Sequence, residues 1–277
     1  MLQLARSTDG TILLGNNLGF VPIKSVAPEI NSMRKALTTA VTGGLPSPAD
    51  ATVSPRYPSP SEFGMPIPRD ELGKLWGIGL NYEAHAGDLD EERPDEPASF
   101  MKPKTAAVGP GGPIRLPPKA ETARVTAEGE IAVVFGRVAR DLSAEEATAV
   151  VAGFVPVIDI TAEDVLQRNP RFLARSKSYD SFLVFGSTIM IPESGWDLSD
   201  ITVQTVINDT IISENVIQNM LFSPRELITF HSKIMTLEPG DIISTGTPGA
   251  GVIEAGDTVR TEIDNIGVAK ADVIRSE

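Results

Sequence analysis

The stretch Glu128-Gly129-Glu130-Ile131-Ala132-Val133-Val134-Phe135 places two carboxylates directly before an unbroken apolar run. Side chains two positions apart on a strand point to the same face of a sheet. We therefore expect Glu128 and Glu130 to project together, with Ala132 and Val134 continuing their face, while Gly129 leaves room for close approach on the other face. Two solvated glutamates at a strand start are the alternative interpretation. Because like charges at the edge of a core repel each other unless a cation lies between them, the stretch favours a strand that begins at a cation site.

A third acid supports the cation site. Asp159 lies inside the apolar run Phe154–Ile160, where an aspartate requires a partner. The chain has no cysteine and only two histidines. Three carboxylates without thiolates suit a hard cation, Mg²⁺ or Mn²⁺, better than zinc. We expect Glu128, Glu130 and Asp159 to leave coordination positions open for water and a bidentate ligand.

Short apolar or β-branched runs bounded by Gly, Pro or Asp predict further strands at 75–80, 131–135, 154–160, 201–207 and 241–244. A helix is predicted from Ser143, with Glu146 in the position of a capping box, to a stop near Gly153. A second helix is predicted from Ser223, with Leu227, Phe230, Ile234 and Met235 on one face. The regular alternation of strand and helix typical of a doubly wound sheet is missing. The pattern therefore predicts a β-rich α+β fold.

The N-terminal part differs in composition. It predicts a short strand over Thr11–Leu14 and an amphipathic helix stopped by Gly43-Gly44, with Ile30, Met33, Leu37 and Ala40 on its apolar face. Residues 46–69 contain many prolines and predict a loop or linker. We therefore expect a small N-terminal domain with its linker over 1–72 and a catalytic domain over 73–277.

The bulk properties exclude several classes of function. The 277 residues carry a formal net charge of −13, so no basic surface is expected for nucleic acid or an anionic membrane. No apolar run reaches the roughly 18 residues of a membrane helix, and no signal-like stretch develops at the N-terminus. The cytoplasm is the expected location.

Two further residues are candidates for acid–base and electrostatic catalysis. His85 is followed at three residues by Asp88, which could hold the imidazole on one helical turn. The polar, proline-containing segment after it predicts a mobile lid, with an ordinary exposed loop as the alternative. Lys177 could stabilise a developing enolate or carboxylate, although a surface lysine beside Asp180 is equally compatible with the sequence. The second histidine, His231, falls within an apolar helix face and is interpreted as structural.

Several segments, in order along the chain, resemble the fumarylacetoacetate hydrolase family. The resemblance covers roughly residues 75–272. Its motifs are Gly79-Leu80-Asn81-Tyr82 with His85, Phe100-Met101-Lys102-Pro103, Glu128-Gly129-Glu130, Asp159, Lys177-Ser178-Tyr179-Asp180, and Met235-Thr236-Leu237-Glu238-Pro239-Gly240-Asp241 leading into Thr245-Gly246-Thr247-Pro248.

The resemblance implies a mixed β-sandwich roll that forms homodimers. It implies Mg²⁺ or Mn²⁺ at Glu128, Glu130 and Asp159, with Ca²⁺ able to take the same place in crystals. It also implies a catalytic set of His85, Asp88 and Lys177, and substrate contacts from Tyr82, Lys102, Arg175 and Thr247. The reactions implied are cleavage of a C–C bond in a 2,4-dioxo acid, decarboxylation of an oxaloacetate-like acid, and isomerisation.

The sequence departs from the family's pattern near the substrate. Many members carry an arginine and a glutamine where this chain has Glu163 and Leu166. A one-residue shift would bring Gln167 and Arg168 into play, and Arg171 or Arg175 could bind a carboxylate instead. The glutamate that usually partners this histidine in the family is replaced by the shorter Asp88, or else its role moves to Glu91. We predict a C–C hydrolase acting on an acylpyruvate. Decarboxylation or tautomerisation of a 2-oxo diacid is the alternative, and a non-catalytic binding protein is the third hypothesis.

Overall fold

The computed structural model describes residues 1–82 and 94–275. Within these ranges the chain forms seventeen strands, most of them short. Their bounds are β1 Leu2–Arg6, β2 Ile12–Asn16, β3 Gly19–Pro22, β4 Leu75–Gly79, β5 Ala98–Lys102, β6 Ala107–Val108, β7 Gly111–Leu116, β8 Val125–Phe135, β9 Val151–Ala162, β10 Leu183–Phe185, β11 Thr188–Ile191, β12 Thr202–Ile207, β13 Thr210–Val216, β14 Ile242–Ser244, β15 Ala250–Ile253, β16 Thr258–Ile263 and β17 Gly267–Arg275. The predicted β-rich α+β class is confirmed.

Four α-helices are described: α1 Met33–Val41, α2 Glu163–Arg168, α3 Leu173–Lys177 and α4 Pro224–Ile234. Helix α4 begins as predicted, because the Ser223 side chain accepts from the Glu226 N–H while the Glu226 carboxylate accepts from the Ser223 N–H. Among the described residues, no helix is long and apolar enough to cross a membrane.

The strands form two mixed sheets that pack against each other. The larger has 12 strands, with the central order β3-β2-β1-β11-β9-β8-β14-β4-β5. The smaller has 5 strands in the order β13-β12-β16-β17-β7. The longest antiparallel pair, β8 with β9, runs through the middle of the larger sheet and carries the three predicted metal ligands. The three candidate ligands therefore lie on paired strands rather than on loops, which favours a precise geometry.

The helix predicted from Ser143 to near Gly153 is wrong. Only a short 3-10 turn forms, over Ala147–Val150, and strand β9 already begins at Val151. The Glu146 carboxylate does accept from the Ser143 N–H, so half of the predicted cap exists. Pairing of 151–153 with the end of β8 overrides the local helix signal, since tertiary packing outweighs weak propensity.

The N-terminal strands continue the larger sheet. Strand β1 pairs antiparallel with β11, and Leu4 and Leu14 belong to the same apolar cluster as Leu75, Ala132 and Val134. The helix predicted near residues 30–43 forms as α1, whose buried side chains join that cluster. Residues 46–69 contain only two 3-10 turns and isolated bridges, as expected of a proline-rich connection. The division into domains at residue 72 stays a prediction.

The predicted close approach at Gly129 is confirmed. Its N–H donates to Thr205 Oγ1 at 2.9 Å, where β8 crosses the smaller sheet. A Cβ at Gly129 would lie 2.8 Å from Thr205 Oγ1, 2.9 Å from Gln204 O and 2.9 Å from Thr261 Oγ1. The glycine therefore sets how closely the two sheets approach directly behind the carboxylates.

Gly129→Ala is expected to lower the free energy of unfolding by about 1–3 kcal/mol, because the added methyl overpacks the contact between the sheets. Urea unfolding followed by circular dichroism measures the loss. Gly79→Ala is the matched control, since the nearest heavy atom to its new Cβ would lie 3.9 Å away. Equal stability of the two variants would contradict the proposed contact.

Candidate active site

The two central strands bring Glu128, Glu130 and Asp159 to one face of the larger sheet. Glu128 lies directly opposite Asp159 in the antiparallel register, and Glu130 lies opposite Val157. Cross-strand partners share a face, so all three carboxylates project the same way. One carboxylate oxygen from each lies within 4.8 Å of the others. Ala132 and Val134 continue this face into the apolar cluster, as the spacing predicted.

Glu130 is fully buried, as is Asp159. Its Oε2 accepts from Ser244 Oγ at 2.5 Å and from the Gly246 N–H at 2.9 Å. Its other oxygen, Oε1, is buried and has no hydrogen-bond partner among the described residues. Burial, reinforced by the charges of Asp159 and Glu128, raises the pKa of Glu130 to about 8. A buried carboxylate oxygen without a donor is what a metal ligand looks like before its cation is added.

The donor at Gly246 depends on a tight turn after β14. Gly246 has a φ of +96°, and a Cβ there would lie 2.7 Å from Asn81 Cβ. Asn81 is fully buried, and its amide donates to Thr245 O at 2.7 Å and to Phe222 O at 2.9 Å. The asparagine therefore fixes the turn that presents the Gly246 N–H to Glu130, and only glycine fits that turn.

Lys177 lies at the end of α3 and reaches into the carboxylate set. Its Nζ lies 3.0 Å from Glu128 Oε2 and 3.0 Å from Asp159 Oδ2. Burial alone would lower the pKa of Lys177, but the neighbouring charges of Asp159, Glu128 and Glu130 outweigh it and raise that pKa. The lysine is a charged member of the site, and the alternative of a surface lysine beside Asp180 is wrong.

Lys102 was predicted to contact substrate, and the structure gives its ammonium other partners. Its Nζ donates to three backbone carbonyls, those of Ile160, Lys177 and Phe182, at 2.7–3.0 Å. It also lies 2.5 Å from Asp159 Oδ1, and burial lowers the pKa of Lys102 to about 8 despite that neighbour. With its donors occupied, this ammonium is suited to holding Asp159 and the end of α3 in place rather than to binding substrate.

The charges of this cluster fit a divalent cation. Three carboxylates against two ammonium groups leave one net negative charge when all five side chains are ionised. All the candidate ligand atoms are oxygens, which hard cations prefer. Together with the orphaned Oε1 of Glu130, the residues present fit Mg²⁺ or Mn²⁺. A bound dication would reverse the local charge and make room for an anionic substrate.

The other predicted substrate contacts have different settings. Tyr82 is fully buried, its hydroxyl has no hydrogen-bond partner among the described residues, and burial together with the Glu130 charge raises its pKa. Thr247 is buried, and its hydroxyl donates to Gly249 O at 2.8 Å. Arg175 is exposed on α3. His85 and Asp88, with the alternative Glu91, lie outside the described residues. Substrate contact by these residues stays a prediction.

The residues considered as substitutes for the family's arginine and glutamine make other contacts. Glu163 Oε2 pairs with Arg124 Nε at 2.5 Å, and Glu163 Oε1 accepts from Gln167 at 2.9 Å. Arg168 donates to the backbone carbonyls of Asp164 and Glu121. These contacts tie α2 to the chain near residues 121–124, and none of them involves the three carboxylates.

Sequence reasoning missed three groups that shape the site. Ser244 and the Gly246 N–H both bind Glu130, and Thr161 Oγ1 donates to Glu128 Oε1 at 2.5 Å. Thr161 lies two residues after Asp159 and so shares its face, a signal that the spacing rule could have used. Ser244 is brought to Glu130 by the pairing of β14 with β8, for which no local pattern exists.

The raised pKa of Glu130 gives the metal-free protein a definite pH dependence. Between about 4.5 and about 8 the folded state binds more protons at Glu130 than the unfolded state does. Stability is therefore expected to fall as pH rises through this window. Lys102 acts with the opposite sign only above about pH 8, because its lowered pKa makes the unfolded state the better proton binder there.

Thermal unfolding in EDTA is expected to show a melting temperature that decreases from pH 5 to pH 8. Glu130→Gln cannot ionise, so its melting temperature should decrease less over the same range. A wild-type slope no steeper than that of Glu130→Gln would contradict the assignment to this carboxyl.

The comparisons with known proteins bear on this geometry. The family model for the C-terminal region of fumarylacetoacetate (FAA) hydrolase matches residues 74–274, which contain every described site residue discussed above. The chain belongs to this family. Among its relatives is the mitochondrial oxaloacetate tautomerase FAHD2A of Bos taurus, which is 36% identical over 228 residues, covering 79% of this chain and 71% of that protein.

Solved structures show that the similarity in fold extends beyond residues 74–274 to the whole chain. The fumarylacetoacetate hydrolase of Exiguobacterium antarcticum superposes with a TM-score of 0.83 at 27% identity and full coverage of both chains. The maleylpyruvate hydrolase of Sphingobium sp. SYK-6 superposes with a TM-score of 0.77 at 26% identity, covering 99% of this chain and 100% of that one. The N-terminal strands are thus part of the shared architecture.

Proposed function

We propose that this chain is a divalent-metal-dependent enzyme that cleaves a C–C bond in a small 2,4-dioxo acid of the acylpyruvate type. The observation that carries the proposal is the position of Lys177, whose ammonium lies 3.0 Å from two of the three candidate metal ligands. A fixed positive charge beside a cation site stabilises negative charge that develops on a bound 2-oxo acid. The maleylpyruvate hydrolase neighbour, named for an acylpyruvate, supports this substrate class.

The metal would be held by Glu128, Glu130 and Asp159. When bound, it would supply Lewis-acid polarisation of the substrate's 2-oxo group. In our proposal His85, held by Asp88, takes a proton from water, and the hydroxyl adds to the distal carbonyl carbon. The bond from that carbon to the adjacent methylene then breaks, and its electron pair remains on the methylene carbon as an enolate. Lys177 stabilises this enolate until a proton returns to that carbon, which gives a carboxylic acid and pyruvate.

The second candidate is keto–enol tautomerisation of a 2-oxo diacid such as oxaloacetate. The Bos taurus relative, named an oxaloacetate tautomerase, favours it. This reaction also passes through an enolate beside Lys177 but needs no attacking water. Decarboxylation would use the same enolate with loss of CO₂. The described part of the site is compatible with all three reactions, so the products decide between them.

The test is product detection by NMR on purified protein with Mg²⁺ or Mn²⁺, using acylpyruvates, fumarylpyruvate and oxaloacetate as substrates. Two carboxylic acids from an acylpyruvate, abolished by EDTA and restored by metal, are the expected result. Enzyme-dependent enol–keto exchange of oxaloacetate without hydrolysis would replace the proposal by tautomerisation, and pyruvate with CO₂ from oxaloacetate alone would replace it by decarboxylation. No conversion of any substrate, together with no metal binding in calorimetry, would favour a non-catalytic protein.

The homodimer and the cytoplasmic location implied at the outset are kept as proposals. A dimer predicts a sedimentation-equilibrium mass near twice the 29.5 kDa of the chain. A mass of one chain at micromolar concentration would contradict it.

A further inference from the structure

Lys177 contacts an aromatic ring, that of Phe100, which has no role in the reaction proposed above. Its Nζ lies over the ring of Phe100, 4.6 Å from the ring centroid. Both residues are nearly inaccessible, with exposed fractions of 5% for Lys177 and 7% for Phe100. The ammonium therefore contacts the carboxylates of Glu128 and Asp159 and, in addition, the face of a buried ring. A cation over an aromatic face is attracted by the ring quadrupole, more strongly where water is excluded.

A glycine on the neighbouring strand makes this ring position available. Gly77 on β4 lies directly opposite Phe100 on β5 in the antiparallel register. A Cβ at Gly77 would lie 2.4 Å from Cε2 and 2.4 Å from Cζ of the Phe100 ring. The ring thus lies across the glycine, in the space that any other side chain would fill.

We propose that Phe100 is a positioning residue for Lys177, and that Gly77 is the residue that allows its ring to reach the ammonium. The inference rests on the proposed function, in which Lys177 stabilises an enolate. The carboxylates of Glu128 and Asp159 and the ring of Phe100 all attract the ammonium. The position of the ammonium is the balance of these attractions, so removing the ring should let it move within the site.

The first test reads the position of Lys177 without any turnover. In protein labelled with [¹³Cε]lysine, the ε-methylene signal of Lys177 is identified as the one missing from Lys177→Met. We expect an upfield ring-current shift in the wild type and its loss in Phe100→Leu, which keeps apolar bulk but has no ring. Phe154→Leu removes another buried ring, one that packs on Trp196, and is the control for loss of core packing. An unchanged Lys177 signal in Phe100→Leu would overturn the proposal, whether or not a substrate has been found.

The second test uses the substrate identified by the product screen. Phe100→Leu is expected to lower kcat about tenfold or more while KM changes little, because the ammonium acts on charge that develops during the reaction. Phe100→Tyr retains the ring and should keep most of the activity. If Phe100→Leu and Phe154→Leu lose the same fraction of kcat, the ring is only packing and the proposal fails.

Gly77→Ala tests the geometry by an independent route. Its methyl would displace the Phe100 ring, so this variant should lose kcat and the Lys177 ring-current shift although the phenylalanine is still present. In a double-mutant cycle, Gly77→Ala should cost much less kcat in the Phe100→Leu background than in the wild type. Additive losses would show that the glycine and the ring act separately. Should all substrates prove inert, the proposed function fails while the NMR arms still decide the position of Lys177.

Discussion

Glu130→Gln is expected to lower metal-dependent turnover by about a hundredfold or more in kcat/KM. The amide oxygen of glutamine can still accept from Ser244 and from the Gly246 N–H, so the shape of the turn is retained. The lost property is the negative charge on the oxygen that faces no donor among the described residues, Oε1. Mg²⁺ or Mn²⁺ affinity, measured by calorimetry, should fall by at least about tenfold, since even residues that only support metal ligands contribute that much.

The same substitution should have the opposite effect on the metal-free protein. At neutral pH the metal-free folded protein keeps Glu130 largely protonated, because burial beside Asp159 and Glu128 raises its pKa to about 8, whereas the unfolded chain ionises it. Folding therefore carries a free-energy cost at Glu130 that glutamine does not have. We expect Glu130→Gln to melt at a higher temperature than the wild type in EDTA, and to gain less from added Mg²⁺. Glu254→Gln, at an exposed glutamate, is the control for a charge change alone. Retention of near-wild-type, EDTA-sensitive turnover by Glu130→Gln would remove Glu130 from the metal site.

The sequence contained most of the information for the carboxylate set. Alternation along a strand placed Glu128 and Glu130 on one face, and the isolation of Asp159 among apolar residues marked it as partnered. What alternation cannot give is the register between strands. The direct opposition of Glu128 and Asp159 follows from the β8–β9 pairing, which neither the alternation nor the isolation of Asp159 specifies.

The contacts of Lys102 show that residue type and motif are insufficient to predict what a side chain binds. A lysine in a recognisable motif suggested a substrate contact, but its ammonium is enclosed by three carbonyls that come from β9, from the end of α3 and from the turn before β10. These elements are separated along the chain by connections whose path no local pattern specifies. The sequence alone does not distinguish a buried lysine that donates to backbone carbonyls from a lysine that binds substrate.

The helix predicted from Ser143 is wrong for a different reason. Its capping signal is real, since the Glu146 carboxylate accepts from the Ser143 N–H. A helix cap is worth about 1 kcal/mol, whereas continuing β9 back to Val151 adds strand pairing in the buried centre of the sheet. The rest of the fold decides whether such a segment forms a helix or extends a strand. Short helices are therefore the least secure predictions from sequence.

Lys177→Met is expected to lower kcat by about a hundredfold to a thousandfold, the effect of removing one preorganised group that stabilises developing negative charge. Methionine is also unbranched and is only one heavy atom shorter, so it keeps most of the side-chain volume and the change is mainly one of charge. KM should change less than kcat, because the charge that Lys177 stabilises develops on the way to the transition state. Lys24→Met, at an exposed lysine, is the matched control.

Metal binding should respond to Lys177→Met in the opposite direction. The ammonium lies 3.0 Å from Glu128 Oε2 and from Asp159 Oδ2, so it competes electrostatically with a cation for the same oxygens. Removing it leaves one more net negative charge in the site, and Mg²⁺ should bind more tightly in calorimetry while turnover falls. Loss of metal affinity together with activity would instead mean that Lys177 maintains the shape of the site. Turnover within a few fold of the wild type would show that the enolate is stabilised by another group.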